Sequence, residues 1–102
     1  LVRAQLELAL DPSRCPIPQV TEPRGYSIEV RIYAEDPSQE FKPTPGKVEK
    51  LRWPSGTGIR VESGIEEGQT IGAGFDSMLG KIVVSAATRE HAIARMRWAL
   101  SE

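Results

Sequence analysis

The chain has 102 residues, with 13 lysines and arginines against 14 aspartates and glutamates. That length suffices for one compact domain and is too short for two independent cores. The near-neutral charge gives no footprint for nucleic acid or an anionic membrane, and no apolar run approaches the roughly 20 residues that span a bilayer. Cys15 has no cysteine to pair with inside the chain, so we expect a soluble, cytoplasmic protein with neither nucleic acid nor membrane as partner.

The first predicted element is a helix. Apolar residues recur at helical spacing at Val2, Leu6 and Leu10, and Asp11-Pro12 ends the run because proline restricts the residue before it. The four prolines of residues 12–24 predict an extended connector. Neither an initiator methionine nor an N-cap residue precedes the helix, so we interpret the chain as a piece of a longer protein.

Residues 26–35 alternate in the manner of a β-strand. One predicted face carries Ile28, Val30, Ile32 and Ala34, and the other carries Ser27, Glu29, Arg31, Tyr33 and Glu35. Arg31 is the strongest anion-binding candidate in the chain, because a stiff strand would orient its guanidinium group. The alternative is a salt-bridge ladder with Glu29 or Glu35, which the residue chemistry alone favours.

The remaining elements predict an α+β fold with a mainly antiparallel sheet and flanking helices. A turn-rich stretch over residues 36–46 leads to a bulged strand at 47–53, which we expect to form a hairpin with a strand at 59–62. Residues 79–85 form the most hydrophobic predicted strand. Thr88 is placed to cap a final helix whose apolar positions repeat every three or four residues.

Other candidate groups lack a specific pattern. The glycines at 56, 58, 72 and 74 match no phosphate-binding motif, and His91 has no metal-ligand partners at zinc spacing, so no metal site is predicted. Asp76 could orient a cation or accept a hydrogen bond from a ligand, or it could bond its own backbone in a turn. Arg60 and Glu62 share a strand face, as surface decoration or as an interface pair.

Four ordered blocks resemble the biotin carboxylase C-terminal domain of biotin-dependent carboxylases, such as the alpha chain of acetyl- or propionyl-CoA carboxylase. The blocks are residues 25–37 (GYSIEVRIYAEDP), 41–47 (FKPTPGK), 58–63 (GIRVES) and 76–81 (DSMLGK), and residues 92–96 continue the likeness. The resemblance implies a barrel-sandwich hybrid-like α+β fold. It also implies that residues 1–24 are a helix and connector leading out of an ATP-grasp domain, and that 25–102 form the C-terminal domain.

The same resemblance implies a ligase activity: ATP- and bicarbonate-dependent carboxylation of biotin on a carrier protein, in fatty acid metabolism if the acceptor is an acyl-CoA. Arg31 would contact the biotin ureido oxygen near bicarbonate and stabilise the enolate, with Asp76 supporting biotin binding and Arg60 at a homodimer interface. ATP and magnesium would bind the ATP-grasp domain of the same chain, and further partners would be the biotin carrier domain and a carboxyltransferase. The fragment alone is expected to bind no cofactor and to be inactive.

Two departures from the family pattern stand near these residues. Phe75 replaces a tyrosine and removes its hydroxyl group, and Thr57 replaces an aromatic residue near Arg60, which weakens the expectation of the same dimer. The alternative function is a non-catalytic module that holds the ATP-grasp domain or a partner subunit. A biotinyl carrier role for Lys81 fits less well, because carrier domains place methionine immediately beside the modified lysine, whereas Met78 is three residues away.

Overall fold

The computed structural model describes residues 1–13 and 22–102, so most of the predicted proline-rich connector lies outside the described residues. In chain order the elements are α1 (Val2–Leu10), β1 (Tyr26–Tyr33), β2 (Glu35–Asp36), a 3₁₀ helix (Pro37–Gln39), β3 (Lys42–Pro43), β4 (Gly46–Lys47), β5 (Ile59–Ser63), β6 (Thr70–Ile71), β7 (Met78–Ala86) and α2 (Arg89–Ser101). The expected α+β class is confirmed, and every strand pairing is antiparallel within this described part.

Helix α1 forms where the apolar spacing predicts it and ends at Leu10, with Asp11 as its C-cap residue before the proline. Arg3 and Glu7, one turn apart, form an ion pair of 2.7 Å on its surface. No side chain of α1 is buried, and Leu6 and Leu10 are 62% and 86% exposed. Across residues 1–13 and 22–102, no helix has the length and apolar character that crossing a membrane requires.

The main sheet has three strands in the order β1-β7-β5. Residues of β7 pair on both sides, so that Ile82 lies between Val30 of β1 and Val61 of β5. Strict alternation directs these apolar residues to one face and the charged residues of the same strands to the other. Helix α2, predicted from its apolar spacing, packs on the apolar face through Met96 and Ala99.

The core lies between β7 and α2. Its buried members are Ile82, Val84, Met96 and Ala99. The predicted cap of α2 is present, since the Thr88 hydroxyl oxygen accepts a 3.2 Å hydrogen bond from the His91 amide. The core leaves the opposite sheet face in solvent, and Arg31 and Arg60 lie on that face.

The predicted bulged strand at 47–53 and its hairpin are wrong. β4 contains only Gly46 and Lys47 and pairs with β6, while β5 pairs with β7. The Leu51 amide donates to the Glu67 carboxylate at 2.9 Å instead of entering a ladder, and Trp53 packs against the core. The phase change in the apolar pattern therefore marks a chain segment outside the sheet, in which Trp53 supplies the contact with the core.

The strand predicted over residues 26–35 also ends early. Its register with β7 shifts between Ile32 and Tyr33, and Ala34 leaves the ladder to donate its amide to the Ser77 carbonyl at 2.9 Å. Glu35 then begins β2, paired with β3. The irregularity turns the chain out of the sheet, so Glu35 does not continue the row that contains Arg31.

Candidate functional site

Arg31 lies on the solvent face of β1, away from the core. Its neighbours in the chain, Val30 and Ile32, pack against the core, and its own side chain is 57% exposed. The Tyr33 hydroxyl group, followed by the Glu29 carboxylate, holds the pKa of Arg31 above its ordinary value. The guanidinium group is therefore charged at every pH at which a protein works, and it faces solvent.

Glu29 is the nearest carboxylate to Arg31 on this face. Glu29 Oε1 lies 3.7 Å from Arg31 Nε, which is an ion pair longer than a hydrogen bond. One of the two predicted ladder contacts is thus present. The other is absent from the described residues, because Glu35 instead accepts a 2.6 Å hydrogen bond from the Ser77 hydroxyl group.

Lys81 completes the immediate surroundings of Arg31, and the sequence patterns do not connect the two residues. The β1–β7 register places Lys81 directly opposite Arg31, and Lys81 Nζ lies 3.6 Å from the same Glu29 Oε1. Lys81 lies within β7, the central strand of the main sheet. The signal that could have found it is the β1–β7 register, which no local pattern encodes.

The third strand supplies a separate ion pair. Arg60 and Glu62 of β5 contact each other through their side chains, and Glu62 lies opposite Lys81. Arg60 and Glu62 therefore lie on the same face of β5, as expected. Arg60 is 66% exposed in the single chain, which leaves its interface role a prediction.

Asp76 precedes β7, at the end of the sheet where Tyr33 pairs with Met78. Its Oδ1 accepts a 2.9 Å hydrogen bond from the Met78 amide, so the turn predicted as one alternative is formed. The carboxylate stays exposed in this arrangement. The Ser77 to Glu35 hydrogen bond fastens the Asp76 loop to the chain that follows Arg31.

The described residues contain no group of three or more histidine, cysteine, aspartate or glutamate side chains that could hold a metal ion. His91 is exposed in the first turn of α2.

A surface groove of about 330 Å³ runs beside the paired ends of β5 and β7 and is lined by Glu62, Lys81 and their neighbours. Arg31 and Lys81 share the single carboxylate of Glu29, so these three side chains carry a net positive charge that would attract an anion.

A sequence model described as the biotin carboxylase C-terminal domain matches residues 29–102, nearly three quarters of the chain. The chain belongs to this family. The match contains Arg31, Arg60, Asp76 and Lys81, and it takes in most of β1, all of β5 and β7, and α2. The domain identified from the four sequence blocks is confirmed.

Three similar proteins illustrate the family. The biotin-dependent acyl-coenzyme A carboxylase alpha3 subunit of Mycobacterium leprae is 47% identical over 96% of this chain and 15% of its own length. One of the pyruvate carboxylase subunits of Methanothermobacter thermautotrophicus is 47% identical over 78% of this chain and 16% of its own length. The biotin carboxylase domain dimer of Hydrogenobacter thermophilus 2-oxoglutarate carboxylase, solved with MgADP, ADP and bicarbonate, superposes with a TM-score of 0.74 at 46% identity, over 76% of this chain and 17% of that one. The chain therefore spans about one sixth of each of these relatives.

Proposed function

We propose that this domain completes the biotin carboxylation site of a larger carboxylase, with Arg31 as its catalytic residue. The observation that carries the proposal is the permanently charged, half-exposed Arg31 guanidinium group on a sheet face that the core leaves open. The identity to biotin carboxylases supports the reaction class: ATP- and bicarbonate-dependent transfer of a carboxyl group to biotin on a carrier.

The chemistry required of Arg31 matches its geometry. When N1′ of biotin loses its proton, negative charge develops on the ureido oxygen. A planar guanidinium group can donate two parallel hydrogen bonds to such an oxygen and a neighbouring bicarbonate without itself changing protonation state. Arg31 Nε lies 3.7 Å from Glu29 Oε1, which is longer than a hydrogen bond. A ligand oxygen can therefore approach the guanidinium group without first breaking a close contact with that carboxylate. Asp76 is proposed to support biotin binding from the adjacent loop, where its turn hydrogen bond fixes the carboxylate.

The rest of the carboxylase would supply what this domain lacks. We place ATP and magnesium in an ATP-grasp domain preceding residue 25, with the biotin carrier and carboxyltransferase as partners and Arg60 at a homodimer contact. Relatives of three kinds, acyl-CoA, pyruvate and 2-oxoglutarate carboxylases, are 46–47% identical to this chain. The biotin half-reaction is therefore the function assigned here. An acyl-CoA acceptor, acetyl- or propionyl-CoA, is the proposed second substrate, by likeness to the acyl-CoA carboxylase alpha3 subunit.

The decisive experiment measures carboxylation of free biotin after Arg31 is replaced by serine in the complete biotin carboxylase. Loss of one oxyanion donor typically lowers turnover by a factor of about 10²–10³, so we expect at least a hundredfold loss. Arg52→Ser is the matched control. Arg52 is 67% exposed and pairs with Glu102 at 3.0 Å, away from the proposed site, and its removal is expected to leave turnover unchanged.

The competing function, a non-catalytic module that holds the ATP-grasp domain, predicts a different result. A scaffold would tolerate Arg31→Ser with near-normal turnover and unchanged biotin affinity. Titration of biotin against the parent and the Arg31 variant separates the two functions, because the catalytic proposal requires weaker binding or slower turnover in the variant and the scaffold requires neither.

A further inference from the structure

Arg31 and Lys81 are like charges placed directly opposite each other on neighbouring strands. Directly opposed like charges destabilise a sheet, so such a pair needs compensation. The compensation is one oxygen atom: Glu29 Oε1 lies 3.7 Å from Arg31 Nε and 3.6 Å from Lys81 Nζ. A single carboxylate thus faces two cations.

The other charged side chains on this face of the sheet do not neutralise the second cation. On this face of the main sheet the described strands carry three cations (Arg31, Arg60, Lys81) and two carboxylates (Glu29, Glu62). Glu62, the carboxylate opposite Lys81, is in contact with Arg60. In the described part of the chain, Glu29 is the carboxylate within ion-pair distance of Arg31 and Lys81. The excess positive charge of this sheet face therefore lies at Arg31 and Lys81.

Burial makes the arrangement still less favourable as a stabilising device. The Lys81 side chain is 29% exposed, about half the exposure of Arg31, and lysine is usually held in water. In the central strand Lys81 is paired with Arg31 on one side and with Glu62 on the other. Because the two cations share one carboxylate at 3.6–3.7 Å, one positive charge is left without a counter-ion among the described residues and can attract an anionic ligand.

We propose that Lys81 is a second cation of the anion site and acts as a positioning residue for Arg31. Lys81 shares the Glu29 carboxylate, so that Arg31 is not neutralised by a counter-ion of its own and retains its attraction for the anionic ligand. It also adds positive potential where charge develops on the ligand oxygen. The inference rests on the proposed function of Arg31 and extends it to a residue that its neighbours in the chain do not reveal.

The test uses the complete biotin carboxylase with free biotin and bicarbonate as substrates. Lys81→Met removes the charge and keeps an unbranched side chain, and we expect kcat/KM for biotin to fall roughly tenfold, the scale of one unit charge several ångströms away near a protein surface. Lys81→Arg should restore most of this loss. Glu29→Gln combined with Lys81→Met should also recover activity, because the carboxylate then no longer competes for Arg31. Lys47→Met, an exposed lysine of β4 away from this sheet, should have no effect.

Each outcome bears on a different claim. If Lys81→Met stays within twofold of the parent while Arg31→Ser loses a hundredfold, the role of Lys81 is wrong and the function of Arg31 stands. If neither variant loses activity, both are wrong. If Lys81→Met lowers both the melting temperature and kcat/KM and neither Lys81→Arg nor Glu29→Gln restores turnover, Lys81 has a packing role and the proposal is overturned.

Discussion

The Ser77 hydroxyl group donates a 2.6 Å hydrogen bond to the carboxylate of Glu35, a residue 42 positions earlier in the chain. A second bond reinforces this contact, since the Ala34 amide donates to the Ser77 carbonyl at 2.9 Å. Together they join the loop that contains Asp76 to the segment that leaves the Arg31 strand. Arg31 and Asp76, the two proposed substrate-binding residues, therefore lie on segments that are hydrogen-bonded to each other.

Replacing Ser77 by alanine should loosen this junction. A hydrogen bond to an ionised group contributes about 1.5–3 kcal/mol, and this one is partly buried. We expect the Ala34 amide to exchange with solvent at least about tenfold faster in the variant, measured by hydrogen exchange. Ser38→Ala is the matched control. The Ser38 hydroxyl group donates a similar 2.7 Å hydrogen bond to Asp36, but that bond is exposed and joins residues only two positions apart. Its removal should therefore leave Ala34 protected. Equal protection of Ala34 in parent and Ser77→Ala would show that the backbone bond alone holds the junction.

Gly58 should not tolerate a side chain. Its φ of +75° is left-handed, and an added Cβ would lie 2.7 Å from the Ser85 carbonyl oxygen, beside the Arg95 guanidinium group. That carbonyl already accepts from Arg95, and the Gly58 carbonyl accepts the Ser85 amide at 2.9 Å. We expect Gly58→Ala to lower the free energy of unfolding by about 2–4 kcal/mol, measured by urea denaturation.

Gly64→Ala is the control for this substitution. An added Cβ at Gly64 meets no atom within 4 Å, and its backbone is outside the left-handed region. The unfolding free energy of this variant should stay within about 1 kcal/mol of the parent. A Gly58 variant as stable as the Gly64 variant would contradict the packing described between β5, β7 and α2.

The turn at Asp36 should respond to acid. Hydrogen bonds from the Ser38 hydroxyl group and the Ser38 amide, with a smaller one from Gln39, hold the pKa of Asp36 below its ordinary value of 3.8. A lowered carboxyl pKa gives stability that is fully present above the unfolded-state pKa and is lost as pH falls through the folded-state pKa. The Ser38 amide resonance should therefore titrate below pH 3.8, and Asp36→Asn should abolish that titration. A midpoint at or above the ordinary value would show that these bonds do not persist in solution.

The 102-residue chain by itself should not turn over ATP. The chain spans 15% of the acyl-CoA carboxylase relative, and we place the ATP site in a separate ATP-grasp domain. With ATP, magnesium, bicarbonate and free biotin present, we expect no bicarbonate-dependent release of phosphate above the rate without protein. Measurable turnover would place a complete active site within these residues and contradict the proposed division of roles.

Local sequence patterns are sufficient to predict those helices and strands whose buried faces follow from the spacing of apolar residues. The period-two alternation around Arg31 places Val30 toward the core and Arg31 toward solvent, and the spacing of α2 with its Thr88 cap predicts that helix. The ordered sequence blocks identify the family, because a set of motifs in one order is specific even where each motif is short. These features depend on residues close together in the chain.

Pairing between distant segments needs the tertiary structure. Alternation states which face a residue occupies but not which strand lies beside it, so the predicted hairpin of 47–53 with 59–62 is wrong, and β5 pairs with β7 instead. For the same reason the alternation alone determines that Arg31 faces solvent, while the fold decides that Lys81 lies opposite and that Glu29 is shared between them. Burial of Ile82 and Val84 against α2 excludes a one-residue slip, which would turn both away from the core, and so it places Arg31 and Lys81 on the same solvent face. The pairing of β1 with β7 in the tertiary structure then places the two residues opposite each other.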